Sequence, residues 1–99
     1  MNLLYVVGEE HFDLDGYERL EQLVAALKPA LIGIEDTENN FKKVFNAAKH
    51  PNAVQFGIEN WKHFFSHCDV QTIELLAKKL VKETLLFGRY LQEGRLVFC

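Results

Sequence analysis

The sequence predicts an α/β fold: a small three-layer open sheet of three to four mainly parallel strands with flanking helices. Three observations carry that expectation. Short apolar runs at residues 3–8, 30–34, 53–58 and 95–99 alternate with stretches of helical periodicity. The runs are rich in branched and aromatic side chains and lack in–out alternation, which suits strands covered on both faces. Capping and breaking residues stand at the junctions, and strand–helix alternation of this kind builds a parallel sheet.

The elements follow in order. Residues 3–8, LLYVVG, form the first predicted strand. Asp15 opens a helix, with Glu18 three positions later in the pattern of a capping box. Its stripe is Tyr17, Leu20, Leu23, Val24 and Leu27. Pro29 stops the helix and pushes Lys28 toward extended backbone. Residues 30–34, ALIGI, are the second strand, closed by Glu35 and Asp36. Thr37 caps a helix that runs to Lys49, with Phe41, Val44, Phe45 and Ala48 facing inward. His50-Pro51-Asn52 breaks it, with His50 placed against the last carbonyls.

A third, weaker strand is predicted at residues 53–58, ending in Gly57-Ile58-Glu59-Asn60, an echo of Gly33-Ile34-Glu35-Asp36. Asn60 then caps a short helix with Trp61, Phe64, Phe65 and Cys68 on its buried side. Asp69 caps a long helix with the stripe Ile73, Leu76, Ala77, Leu80, Val81, Phe87 and Leu91; within it, Gly88 allows close packing or a local kink. Gly94 stops that helix, and residues 95–99 read as the last strand.

The 99 residues make a single domain that can bury roughly 60–65% of its unfolded surface, so its core is modest and oligomerisation would help it. A net charge of −3 with scattered lysines leaves no nucleic-acid footprint. No apolar stretch reaches the roughly 20 residues of a membrane span, and the N-terminal run lacks the basic flank of a signal peptide. Two cysteines are too few for a disulfide framework and point to reduced thiols and a cytoplasmic protein. The chain has no phosphate-cradling glycine loop, nucleophile elbow or Cys-x-x-Cys pair, and its single serine, Ser66, lies in a predicted helix.

Ligands of open parallel sheets bind at the carboxyl ends of the strands. Here the first predicted strand ends in Glu9-Glu10-His11, the second in Glu35-Asp36 and the third in Glu59-Asn60. In extended backbone Glu9 and His11 share a side that Glu10 does not. Glu9, His11 and Glu35 are therefore the candidate catalytic residues. His11 and Glu35 are the candidate ligands of a divalent metal, with Glu59, His63 and His67 as secondary candidates. Carboxylates and imidazole suit such an ion, and the same cluster suits general acid–base chemistry. The plainer reading stands beside it: acidic residues after strands cap the next helix, as assigned to Asp36 and Asn60. His63 and His67 have the i, i+4 spacing of a metal-binding pair but lack the glutamate of the zinc-protease motif, so a structural or interface pair is the competing reading.

The segments "VVGEEH" and "KPALIGIE" resemble the opening of the superfamily of erythromycin esterases, ChaN-like haem-binding proteins and TraB/Tiki proteins, over residues 3–36. The resemblance implies an α/β fold with a polar cleft, in which Gly8 shapes a turn and His11 and Glu35 act as ligands or acid–base groups. Glu9 matches the Gly-Glu-x-His form of the esterase and ChaN branches. A divalent metal is the implied cofactor, with haem as the alternative. Members are longer and carry a second Gly-x-x-His, which is absent here. The expectation is thus a half-length relative, a fragment, or a protein whose site a second subunit completes. Two functions follow: a metal-assisted hydrolase, in which a cation polarises the substrate and lowers the pKa of a water, or a non-catalytic small-ligand-binding or protein-interaction module. Both are expected to be homo-oligomers, because a small parallel sheet leaves unpaired edges.

Overall fold

The computed structural model describes residues 15–99, so the first predicted strand, residues 3–8, lies outside the described residues. The order is α1 (Gly16–Leu27), β1 (Ile32–Ile34), α2 (Glu38–Ala48), α3 (Ala53–Phe64), α4 (Val70–Gln92) and β2 (Leu96–Phe98). Among the described residues the protein is thus mainly helical, with one two-stranded parallel sheet, and not a three-layer open sheet. The strands pair Ile32 with Leu96, Gly33 with Val97 and Ile34 with Phe98. Backbone bonds from Ile32 to the Arg95 carbonyl and from Cys99 to the Ile34 carbonyl, each 2.9 Å, frame the pair.

The main correction concerns residues 53–58, which are the start of α3 and not a strand. A six-residue apolar run cannot separate strand from helix by its own periodicity. Extended to Phe65, the spacing resolves: residues 53, 54, 57, 58, 61 and 65 are the half-buried ones, a repeat of three to four. Gly57 has a packing reason, since a Cβ there would stand 3.2 Å from the Cβ of Ala77 on α4. Asn60 is consequently inside a helix and caps nothing. Phe64, expected inside, is 80% exposed.

The sheet is also covered differently from the expectation. Ile32, Ile34, Leu96 and Phe98 are half-buried, while Gly33 and Val97 between them are exposed. The inner face meets α2 through the Phe41 and Phe98 rings, 5.9 Å apart. With one face open, the described residues form two layers at the sheet.

Several local signals are borne out. Thr37, with extended backbone, accepts the Asn40 N–H at 3.2 Å and starts α2. Asp69 accepts the Thr72 N–H at 2.7 Å and starts α4. The α1 stripe Tyr17, Leu20, Leu23, Val24 and Leu27 is the half-buried set of that helix. Two end signals fail. Asp15 has helical backbone and makes no side-chain cap bond, because a capping side chain reaches the N3 amide from an extended residue. Lys28 is not extended but left-handed, with φ 46° and ψ 58°, and donates its N–H to the Val24 carbonyl at 2.9 Å. That bond holds Lys28 against both its Cβ and the proline that follows.

Helix α4 organises the core. Ile73, Leu76, Ala77 and Leu86 are buried on it, and Phe41, Phe45 and Ala48 of α2 join them. The predicted stripe holds in its first half only, since Leu80, Val81, Phe87 and Leu91 are half-buried. Their place is taken by Lys79 and Glu83, at 3% and 5% exposure, whose charged atoms lie 3.6 Å apart. Helix periodicity hides such a pair in sequence, because i and i+4 stack on one face whatever the side chains are.

Candidate functional site

Glu35 follows β1 and is exposed. Its neighbour Asp36 is a local organiser, accepting from the Thr37 amide at 2.7 Å and the Asn40 side chain at 2.9 Å. Glu9 and His11 lie outside the described residues. Glu59 is not at a strand end at all: it sits in α3, where Gln55 donates to it at 3.5 Å. The third acidic strand terminus of the expected rim is therefore removed.

His63 and His67 do not share a helix face, because α3 ends at Phe64 and His67 stands in the turn beyond. The His67 ring lies 6.4 Å from that of Phe65. His50 faces α3 rather than the last carbonyls of α2: its Nδ1 accepts the Asn52 N–H at 3.1 Å, and its ring lies 5.2 Å from Phe56. Among the described residues no three His, Cys, Asp or Glu side chains converge as a metal group.

A surface concavity lies elsewhere among the described residues, where α1 and α2 meet the second half of α4. A groove of about 390 Å³ has Phe45, Leu85 and Leu86 as its apolar floor and Tyr17 as one wall. Lys49, Lys82 and Arg89 surround it, and no carboxylate among the described residues lines it. This is a local inversion for a chain of net charge −3. The Lys49 Nζ stands 4.5 Å above the Phe45 ring and the Lys82 Nζ 5.7 Å above the Tyr17 ring. Each ammonium thus rests on an aromatic wall of the groove, a favourable placement for a cation.

A second concavity of about 460 Å³ shares Leu86 and Arg89 with the first and continues toward Lys28, Tyr90 and Arg95. Arg95 serves the fold there. Its guanidinium donates to the Ala30 carbonyl at 2.8 Å, to the Pro29 carbonyl and to Glu93 at 2.7 Å, and it stacks 4.6 Å from the Tyr90 ring. Between the two concavities, Tyr17 donates its hydroxyl to Glu21 at 2.5 Å. Burial, that bond and the Glu21 charge push the phenol up to about 12, although Arg89 pulls it down. Tyr17 therefore remains a neutral donor.

The sequence reading missed this groove because it counted lysines along the chain and found them scattered. The usable signal was positional. Lys82, Leu85, Leu86 and Arg89 are spaced by three, four and seven, which places cations and leucines on one side of α4.

The chain matches no protein-family model, no curated protein and no solved structure.

Proposed function

We propose that the protein is a non-catalytic binding module for a small anionic ligand with an apolar body, held in the groove over Leu86. One observation carries this reading: Lys49, Lys82 and Arg89 ring an apolar floor that no carboxylate among the described residues lines. An anion gains charge-assisted hydrogen bonds at the rim, and its body covers the exposed Leu85. Benzoate and neutral benzyl alcohol test the class. Benzoate at 100 times its dissociation constant adds about 2.7 kcal/mol to stability, visible as a rise in melting temperature that benzyl alcohol does not reproduce. Arg89→Glu is expected to abolish the rise, and equal shifts from both compounds would sink the reading.

A metal-assisted hydrolase is the second reading, favoured by the place of Glu35 directly after the carboxyl end of β1. It predicts that titration calorimetry with zinc or manganese gives a saturable heat that Glu35→Ala removes. We also propose cytoplasmic residence, supported by the free thiols of Cys68 and Cys99. A homodimer is proposed from the two strands of the sheet, each of which has one neighbour among the described residues. Fractionation of tagged cells and sedimentation over a range of protein concentrations test these in turn.

A further inference from the structure

We infer that the groove takes the dianion of a small soluble organic phosphate monoester, with Arg89 gripping the phosphoryl oxygens and Lys49 and Lys82 supplying the remaining charge. The inference rests on the anion-binding reading above and names the chemistry of its ligand.

Other basic side chains are matched by carboxylates: Lys42 with Glu38 at 3.2 Å, Lys78 with Glu74 at 2.9 Å, Lys79 with Glu83 at 3.6 Å and Arg95 with Glu93 at 2.7 Å. Among the described residues no carboxylate comes within ion-pair distance of Lys49, Lys82 or Arg89. A carboxylate ligand offers one negative charge to these three cations, whereas a phosphate monoester above its second pKa, about 6, offers nearly two.

Geometry agrees. Arg89 is exposed on the rib shared by the two concavities, and its planar fork suits bidentate contact with phosphoryl oxygens. Lys49 and Lys82 approach from different elements, the end of α2 and the middle of α4, and their stems are flexible enough to lift the ammonium from its ring onto a third oxygen. Among the described residues the charged groups here are Lys49 at the end of α2 and Lys82 and Arg89 of α4, with Glu21 of α1 lining the second concavity and Glu83 buried beside Lys79. Glu21 is turned toward the Tyr17 hydroxyl, which donates to it.

Size supplies the organic part. The concavity of about 390 Å³ has room for more than inorganic phosphate, which would leave Leu85, 36% exposed, in contact with water. An aryl or short alkyl ester covers that floor.

The test is calorimetric titration of the whole chain with phenyl phosphate, benzoate and inorganic phosphate at pH 7.5 and pH 5. The expected result is that phenyl phosphate binds at pH 7.5 at least tenfold more tightly than either other ligand. Its affinity should fall several-fold to tenfold at pH 5, where roughly a tenth of the ester is dianionic. Lysine and arginine ordinarily stay charged across this range, and Tyr17, held at about 12, keeps its proton, so the change reports the ligand. Arg89→Gln and Lys82→Gln should each lower the affinity about tenfold with an unchanged circular dichroism spectrum, and Lys78→Gln should not. Equal, pH-independent binding of benzoate and phenyl phosphate overturns the phosphate inference and leaves the anion-binding reading intact. Absence of binding by all three and by phosphatidate-containing vesicles overturns both. Co-sedimentation with phosphatidate-containing vesicles, lost in Arg89→Gln and without phenyl phosphate binding, overturns the soluble ligand in favour of a lipid headgroup.

Discussion

At Gly88 a single missing methyl group decides how two helices meet. A Cβ there would stand 2.1 Å from Cε1 of Phe45, so α2 rests directly on the backbone of α4 through that ring. Alanine is a better helix former than glycine by about 1 kcal/mol. The overpacking it causes costs about 1–3 kcal/mol and outweighs that gain. Gly88→Ala is accordingly expected to lower stability in urea denaturation by up to about 2 kcal/mol. Phe45→Leu in the Gly88→Ala background should cost less than Phe45→Leu alone, since the smaller side chain yields the space. Sequence reasoning named close packing at Gly88 as one of two options and could not name Phe45, which is 43 positions away. The groove had the same difficulty: Lys49 and Lys82 are far apart in the chain and meet only across the α2–α4 contact.

At the scale of elements, helix ends were the most legible features. Asp69 shows why: its carboxylate reaches an amide three residues ahead, and that geometry depends on nothing distant. The bond from Thr72 holds the Asp69 carboxyl below its ordinary value. A depressed carboxyl stabilises the fold above the unfolded pKa, about 3.9, and the benefit is lost as pH falls through the folded value. The thermal stability of α4 should therefore decline below about pH 4. Asp69→Asn, which keeps a capping side chain without a titrating one, should match the wild type near neutrality and lose less in acid; melts followed by circular dichroism between pH 7 and pH 2 check this. Residues 53–58 were illegible for the opposite reason. Their run is too short to display a period, and α3 declares itself only with Trp61 and Phe65 included.

For the whole molecule, Arg95 is the closure. It joins the turn after α4 to the segment between α1 and β1 by bonds to the Pro29 and Ala30 carbonyls, across 66 and 65 positions of sequence. Gly94, at φ 70°, lets Arg95 donate its own N–H to the Tyr90 carbonyl at 2.7 Å, which sets the chain into β2. Removing the guanidinium leaves those carbonyls short of a charged donor, a loss of about 2 kcal/mol. Arg95→Ala should lower the urea midpoint accordingly, and Arg95→Lys should recover only part, because an ammonium cannot fork to two carbonyls and stack on Tyr90 together.

The sequence by itself determined where most helices begin and end, that residues 32–34 and 96–98 are strands, and which side of α1 faces inward. These depend on bonds and periodicities that span a few residues. Only the tertiary structure decided that residues 53–58 belong to a helix, that Lys79 and Glu83 are buried together, and that Lys49, Lys82 and Arg89 surround one groove. Helix packing made those choices: it brings together residues whose separation along the chain carries no local signal.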